Sequence, residues 1–279
     1  MHNSGNNPLC PPIAIGGVGG SGTRLIANML KKAGYYIGSD LNDSEDNLWF
    51  TLLFRYSDML HESPSEIKSR YYILEQALNG SSDFSQDQIK LINKISSRND
   101  ALLPADWLRQ RATSLLTQQK NIQQHCWGWK EPNTHLFIDH FLTKNKSLKY
   151  IHVVRNGLDM SFSHNQNQLR IWGKEVLNDD IAITPYYSLK YWCEVQRRMT
   201  CLSERFGNRV LLVNFDRLCQ HNDDELARLM SFIGQEESKH EKFSRLIKTP
   251  GSIGRYKNED LGQFDPKDID YFNNTFFNV

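Results

Sequence analysis

The stretch Ile13–Leu30, IAIGGVGGSGTRLIANML, passes from a short apolar run through five glycines in seven residues into a segment with helical spacing. Ile13–Ile15 predicts a strand, residues 16–22 a tight loop, and Thr23–Ala33 a helix that ends at Gly34. Such a junction directs unpaired backbone N–H groups and the positive end of a helix dipole at one point, and its glycines allow positive φ angles. The stretch predicts an anion site; the alternative is a tight turn without a ligand.

This loop has the spacing of a nucleotide-phosphate loop but lacks its lysine. In nucleoside triphosphatases the pattern is G-x-x-x-x-G-K-[ST], whereas Gly17 and Gly22 are followed here by Thr23 and Arg24. No strand that ends in an aspartate stands out as a partner for magnesium. The pattern favours a phosphate-like group bound without a metal ion over ATP hydrolysis, and we predict no metal site.

The composition indicates an ordinary globular protein without a general affinity for polyanions. The chain has 279 residues, of which 39% are hydrophobic, and a formal net charge of +1. A net charge this close to zero gives no reason to expect a general electrostatic attraction to nucleic acid or to a membrane surface. No apolar run predicts a transmembrane helix, and the polar first residues lack the apolar core of a secretory signal. We expect a cytoplasmic protein that forms a single domain over residues 1–279.

The five cysteines are widely spaced, and no two of them form a C-x-x-C pair. Their odd number and spacing argue against a disulfide framework and against a zinc site, and they fit a reducing compartment. We therefore expect no disulfide framework among Cys10, Cys126, Cys193, Cys201 and Cys219.

Strand and helix signals alternate through the rest of the chain. Strand-like segments occur at Cys126–Trp129, Leu148–Val154 and Arg209–Phe215, each followed by helical periodicity. This alternation indicates βαβ units. We predict an α/β fold, a three-layer, P-loop-like parallel sheet flanked by helices, with a helical insertion at about residues 47–119. The helices expected in the insertion are Leu48–Met59, Pro64–Leu78, Gln86–Ile95 and Ala105–Leu116.

A second candidate anion site follows the predicted strand in VVRNGLDMSFS, Val153–Ser163. Arg155 follows the predicted strand, and Ser163 lies about two helical turns further on. Ligands of open α/β sheets bind at the carboxyl ends of the strands. This arginine and this hydroxyl therefore suit a second, separate phosphate site; the alternative is an arginine that is merely solvated.

Together these segments resemble the sulfotransferases that use 3′-phosphoadenosine 5′-phosphosulfate (PAPS). That family has S/G-G-T for the 5′-phosphosulfate, R-x7-S for the 3′-phosphate, and a turn G-x-x-G-x-[WY]-K that closes over the 3′-phosphate. This chain has Ser21–Thr23, then Arg155 and Ser163, then GSIGRYK at Gly251–Lys257, in the family's order. The resemblance covers about residues 13–260, and two phosphate sites suit a nucleotide phosphorylated at both ends.

The resemblance implies a donor site drawn from distant parts of the chain. VLLVNFDRL, Val210–Leu218, is similar to a strand of the family that ends in Tyr/Phe-Glu/Asp-x-Leu, which implies that Phe215 lines the adenine site. The alternative for Phe215 is a core aromatic residue. The residues expected to bind PAPS are Gly19, Gly20, Ser21, Gly22, Thr23, Arg24, Arg155, Ser163, Phe215, Gly254, Arg255, Tyr256 and Lys257.

The residue expected to place a positive charge at the sulfuryl group differs from the family's pattern. Most members carry Lys or Arg just before S/G-G-T, where this chain has Gly20. WGWKEP is similar to the family's strand whose lysine reaches the sulfuryl group, which makes Lys130 a candidate, and a lysine in an apolar strand needs a partner. Our hypothesis is that Arg24, Lys130 and the loop N–H groups stabilise the leaving group.

The catalytic base is the second departure. One branch of the family uses the histidine of K-T-H, but the matching segment here is KEPNTH, with proline in that place. The glycan-modifying branch uses the acid of E-x-x-F-F, which DNLWF matches with an aspartate. We rank the candidates Asp46, Glu131 and His135. Their alternatives are a helix N-cap for Asp46, an ion pair with Lys130 or Arg155 for Glu131, and an ordinary surface or helix position for His135.

The resemblance implies transfer of a sulfuryl group from PAPS to a hydroxyl or amine of a small-molecule or glycan acceptor. The Asp46 pattern favours a carbohydrate or another hydroxylated acceptor, and the helical insertion is expected to shape its pocket. Two alternatives stay open: a P-loop kinase that acts on a small molecule, and a catalytically inactive nucleotide-binding protein on the same fold.

Overall fold

Four short parallel strands form the sheet of the computed structural model, which describes residues 10–81, 83–118 and 126–276. Their order is β2-β1-β3-β4. Most of the polar leader, residues 1–9, lies outside the described residues, as does residue 119 at the end of the predicted insertion. The strands are β1 Ile13–Gly17, β2 Gly128–Lys130, β3 Lys149–Val154 and β4 Val210–Asn214.

Helices α1 to α13 surround this sheet in the described segments. Their bounds are Thr23–Lys32, Leu48–Phe54, Pro64–Leu78, Gln86–Ser96, Ala105–Leu116, Ile138–Lys144, Gly157–Ser161, Asn167–Leu177, Pro185–Phe206, Phe215–Cys219, Asp223–Phe232, His240–Ser244 and Pro266–Phe276. Short 3-10 helices occur at Ser57–His61, Pro132–Leu136, Gly207–Arg209, Glu237–Lys239 and Arg255–Asn258. Among the residues described, no helix has the length and hydropathy needed to cross a bilayer.

The predicted α/β class and parallel sheet are confirmed, and the helices of the insertion are α2 to α5. The largest boundary error in the insertion is in α2, because the helix expected to run to Met59 ends at Phe54. Arg55 and Tyr56 leave the helical region, with Tyr56 extended at φ −152° and ψ 153°. The buried Arg70 guanidinium donates to the Leu53 carbonyl at 3.0 Å and to the Tyr56 hydroxyl at 3.0 Å. It thus satisfies a helix-end carbonyl that would otherwise lack a partner.

The two faces of the sheet pack against different helices because alternate strand residues point to opposite sides. Ile15 and Val153 belong to a core shared with α1 and α11, whereas Ala14 and Tyr150 belong to the core that includes the insertion. The ring of Phe54 in α2 lies 5.4 Å from Phe137 and 5.3 Å from Phe141, both of which follow β2. The insertion therefore shares its apolar core with the sheet.

Cys10 and Cys126 form a disulfide, contrary to the expectation from the cysteine count. They precede β1 and β2, which lie side by side, and the Ile13 N–H donates to the Trp127 carbonyl at 3.1 Å. This pairing brings the two cysteine Cα atoms to 4.9 Å, although they are 116 residues apart in sequence. The spacing along the chain could not reveal a contact that the sheet creates. The remaining cysteines, Cys193, Cys201 and Cys219, are free.

Truncating Phe54 to alanine should destabilise the whole fold and not the insertion alone. Because the ring is fully buried in the shared core, its loss should lower the free energy of unfolding by roughly 3–5 kcal/mol in a single transition. Urea unfolding followed by fluorescence and by circular dichroism measures this. Leu102→Ala, at a position 40% exposed in the same insertion, is the control and should cost less than about 0.5 kcal/mol. Two separate transitions would contradict the shared core.

Candidate active site

All four strands place a predicted site residue at the same edge of the sheet. The glycine loop follows β1, Lys130 ends β2, Arg155 follows β3, and Phe215 follows β4. Since the strands are parallel, their carboxyl ends meet at this edge. The structure therefore brings together residues that the sequence places in separate segments.

The glycine loop has the backbone geometry that an anion site requires. Gly20 and Gly22 have φ angles of 92° and 94°, in the left-handed region that favours glycine. A Cβ atom on Gly22 would lie 2.2 Å from the Phe215 ring, so any side chain there would force the loop away from Phe215, the first residue of α10. Within the described residues no side chain caps α1, and its first turn holds no acid. The first N–H groups of α1 therefore remain available to a ligand.

Gln168 in α8 holds the glycine loop in place and was not predicted from the sequence. Its side-chain oxygen accepts from the Gly19 N–H at 3.0 Å, and its amide nitrogen donates to the Gly17 carbonyl at 3.2 Å. The side chain is buried, so these bonds are shielded from water. A single glutamine in an amphipathic helix gives no sequence signal of such a contact.

Arg155 forms hydrogen bonds with both the glycine loop and the C-terminal turn, Gly251–Lys257. Its guanidinium donates to the Gly20 carbonyl at 2.8 Å and to the Ser252 hydroxyl at 2.6 Å, and it lies 5.4 Å above the Phe215 ring. Burial lowers the pKa of Arg155; the nearby carboxylate of Asp216 raises it, and the positive charge of Arg255 lowers it. The buried Nε has no hydrogen-bond partner among the described residues. The site therefore holds one cation over the ring of Phe215, which is itself buried in the core, and a second cation, Arg255, nearby, an arrangement suited to an anion.

The turn Gly251–Lys257 is fixed by Asp159, a residue inside the second motif that the sequence analysis did not single out. The buried Asp159 carboxylate accepts from the Gly254 N–H at 2.7 Å and from the Tyr256 N–H at 3.1 Å. Gly254 has a φ of 81°, which a glycine adopts readily. Lys257 is exposed. The predicted turn therefore lies against α7, next to Arg155.

Ser163 lies just beyond the end of α7 and is half-buried. Its hydroxyl accepts from the Asn165 N–H at 3.2 Å. Arg255 donates to the carbonyl of the preceding residue, Phe162, at 3.4 Å. The C-terminal turn thus contacts both ends of the R-x7-S segment, with Ser252 at Arg155 and Arg255 beside Ser163.

Lys130, whose side chain is buried, forms an ion pair with the half-buried Asp46 beside the end of β1. The Lys130 side chain is 3% exposed, and its ammonium also donates to the Ser44 carbonyl at 2.9 Å. The Asn42 amide donates to the other oxygen of Asp46 at 2.9 Å. The partner that a buried lysine requires is therefore Asp46, the highest-ranked base candidate.

Asp46 is not the N-cap of α2. The side chain of Asn47 performs that function by accepting from the Phe50 N–H at 2.8 Å. Asp46 is therefore free of a capping role. Arg24, which is exposed, donates to the Ser44 hydroxyl at 2.6 Å and reaches the same short loop as Lys130.

Glu131 is buried and paired with neither Lys130 nor Arg155. Its carboxylate accepts from the Asn133 N–H at 2.6 Å and from the Asn133 side-chain amide at 2.8 Å. Burial, followed by the nearby charge of Asp46, raises the pKa of Glu131 to about 7. A carboxyl group with this pKa exchanges its proton near neutrality.

His135 lies inside the protein and not at its surface. It is in the 3-10 helix after β2 with no exposed area, and its ring centroid is 6.1 Å from that of His152 and 6.4 Å from that of Tyr191. Burial lowers its pKa well below the ordinary value, so the imidazole is neutral. The structure groups His135 with other buried side chains and not with the Lys130–Asp46 pair.

A glycine loop, an uncapped helix and an arginine at the carboxyl edge of a parallel sheet are the features of an α/β fold with a P-loop-like sheet. A family model described as the sulfotransferase family matches residues 11–239, and the chain belongs to that family. A comparison with curated proteins found no match.

Solved structures similar to this one include other sulfotransferases. The sulfotransferase domain from the Synechococcus PCC 7002 olefin synthase has 15% sequence identity and a TM-score of 0.52, covering 96% of this chain and 94% of that chain. Sulfotransferase STF1 from Mycobacterium tuberculosis H37Rv has 12% identity and a TM-score of 0.45, covering 97% of this chain and 77% of that one. At such identities, the first of these supports the fold alone.

Glu131 should make the fold less stable as pH rises. Because its pKa is about 7 in the folded protein and 4.5 ordinarily, the native state keeps a proton that the unfolded chain releases. The stabilisation that Glu131 gives by keeping its proton is fully present below about pH 4.5 and is lost as pH rises to about 7. The free energy of unfolding should fall by up to roughly 3 kcal/mol over this range. Urea unfolding across this range should show a shallower decline for Glu131→Gln. Identical slopes in both proteins would contradict the raised pKa.

Proposed function

We propose that this protein transfers a sulfuryl group from PAPS to a hydroxyl or amine of a small-molecule or glycan acceptor. The observation that carries the proposal is that two groups able to bind anions, the glycine loop and Arg155, both lie against Phe215. The glycine loop contacts the ring through Gly22, and the guanidinium of Arg155 lies over it. A nucleotide that bears phosphate groups at both its 5′ and 3′ positions suits two such sites; a nucleoside triphosphate leaves one of them unexplained.

The described residues fit this donor. The free N–H groups at the start of α1 would hold the 5′-phosphosulfate. Arg155, Ser163 and the turn Gly251–Lys257 would hold the 3′-phosphate, with Phe215 beside the adenine. A phosphate there would offer an acceptor to the buried Nε of Arg155.

The Lys130–Asp46 pair would perform the transfer. The acceptor oxygen attacks sulfur in line, the bond from sulfur to the 5′-phosphate oxygen breaks, and the acceptor proton passes to a base. Asp46 would take this proton, and the Lys130 ammonium would stabilise the charge that develops on the leaving phosphate oxygen. The products are a sulfate ester and adenosine 3′,5′-bisphosphate. Arg24 reaches the same loop and adds positive charge where Gly20 replaces the family's basic residue.

Asp46 remains first among the base candidates. Glu131 is second because its pKa of about 7 suits a base, although both of its oxygens accept from Asn133. His135 is third because it is fully buried behind the sheet edge. The family membership and the arginine cluster favour a sulfuryl donor over the kinase alternative.

Removing the Arg155 side chain should weaken donor binding. Calorimetric titration of the wild-type protein with adenosine 3′,5′-bisphosphate, without metal, should give a dissociation constant on the order of micromolar. Arg155→Ala should weaken it by roughly thirtyfold, because two charge-assisted hydrogen bonds are lost. Arg170→Ala, an exposed arginine in α8, is the matched control and should bind normally. Binding of ATP with magnesium but not of the bisphosphate would overturn the proposal.

Replacing Asp46 with asparagine should abolish turnover but not donor binding. Transfer of radioactive sulfate from PAPS to a panel of sugars and phenols identifies an acceptor, and kcat is then compared among variants. Asp46→Asn should lower kcat by roughly a hundredfold or more, as expected when a general base is lost. The exposed neighbour Asp43→Asn is the control, and Glu131→Gln should retain most activity.

A large loss in Glu131→Gln with an active Asp46→Asn would assign the base to Glu131. Bisphosphate binding without product from any acceptor would favour the inactive nucleotide-binding alternative.

A further inference from the structure

Gln168 is the second residue of α8, and its side chain binds the glycine loop from within the protein. Its amide oxygen accepts from the Gly19 N–H at 3.0 Å, and its amide nitrogen donates to the Gly17 carbonyl at 3.2 Å. The side chain is only 6% exposed, so water competes little for these two bonds. Both polar atoms of the amide therefore hold the loop backbone between Gly17 and Gly19, and we call this pair of bonds the loop clamp.

The glycine loop has few other contacts that could fix its shape. Within the described part of the chain, the side chains that hydrogen-bond to its backbone are those of Gln168 and of Arg155, which donates to the Gly20 carbonyl. A Cβ atom on Gly20 would meet nothing within 4 Å, so the outer side of the loop is open. Ordering an open glycine-rich segment costs conformational entropy. If the loop is ordered before a ligand arrives, that cost no longer weakens binding.

Helix α8 is itself anchored, so it can hold the loop still. Trp172 lies one helical turn after Gln168, on the same face of the helix. Its indole N–H donates to the Asn133 side-chain oxygen at 3.0 Å, and its ring is fully buried in the core that includes the insertion. The position of Gln168 is therefore set by packing that does not involve the loop.

The loop clamp leaves other N–H groups for a ligand. The Gly19 N–H is bonded to Gln168 and is not available. The N–H groups of Gly20, Gly22 and Thr23 have no hydrogen-bond partner among the described residues. A carboxylate in place of the Gln168 amide could accept from the loop, but it could not donate to it and would repel a bound phosphate. A neutral glutamine both accepts and donates without adding negative charge to an anion site.

We propose that Gln168 is a positioning residue for the sulfuryl donor. The loop clamp holds the free N–H groups of the loop where they bind the 5′-phosphate end of the nucleotide, and Gln168 itself does not touch the ligand. Its described hydrogen bonds are with Gly17 and Gly19, and none is with Arg155 or the C-terminal turn, which are proposed to bind the 3′-phosphate. The inference rests on the proposed function and assigns Gln168 to the 5′ end of the donor alone.

Calorimetric titration with two nucleotides separates this role from a general loss of stability. Adenosine 3′,5′-bisphosphate carries both phosphates, whereas adenosine 3′-monophosphate lacks the one at the 5′ position. The wild-type protein should bind the bisphosphate roughly thirtyfold or more tightly than the monophosphate. Gln168→Met, which keeps the length of the side chain but removes both bonds, should reduce that preference by roughly tenfold. Its affinity for the monophosphate should change by less than about twofold, whereas a merely structural role would lower both affinities together.

Gln196→Met is the matched control. Gln196 is a glutamine of α9 that is 2% exposed, and its side-chain nitrogen lies 3.5 Å from His152 in β3 and not at the loop. This variant should lose thermal stability but keep the wild-type preference for the bisphosphate. An equal preference in the two variants would overturn the proposal. A wild-type protein that binds the bisphosphate no more tightly than the monophosphate would instead count against the proposed function, and with it this inference.

Amide hydrogen exchange followed by NMR tests the loop clamp in the ligand-free wild-type protein, whether or not the Gln168 variant folds. Relative to an unstructured peptide, the Gly19 amide should exchange at least roughly tenfold more slowly than the Gly20 amide. In Gln168→Met the two amides should exchange at similar rates. Equal protection of Gly19 and Gly20 in the wild-type protein would overturn the proposal.

Discussion

The parallel register of β1 with β2 and β3 is the constraint on which the rest of the structure depends. It pairs Ile15 with Lys130 and Gly17 with Val153, so the glycine loop begins beside the ends of both neighbouring strands. Because each strand shares its backbone hydrogen bonds with its neighbour along the ladder, these ends cannot shift separately. The glycine loop, Lys130 and Arg155 therefore lie at one edge of the sheet, where side-chain bonds from Gln168 and Arg155 hold the loop further.

The sequence was sufficient for features that depend on local pattern. The strand of LKYIHVV, and the bounds of α3 and α5, follow from apolar periodicity and from prolines at helix starts, which act within a few residues. The same is true of the glycine loop, whose chemistry is contained in one short segment. The resemblance to sulfotransferases added the order of the motifs, and the family membership agrees with it.

Features that depend on contacts between distant segments could not be predicted from the sequence. Gln168 contacts Gly19 across 149 residues, and Cys10 meets Cys126 only because β1 and β2 are neighbours. The burial of His135 likewise depends on side chains from distant segments, such as His152 and Tyr191. A single sequence records the identity of each such residue but not the surface that it will face.

The bridge from Arg155 to Gly20 and Ser252 joins the loop near the start of the chain to the turn near its end. The ribosome synthesises these two segments at different times. The loop and the first strand are made before the turn that contacts Arg155. The proposed nucleotide pocket is therefore incomplete until Ser252 has been synthesised and has reached Arg155.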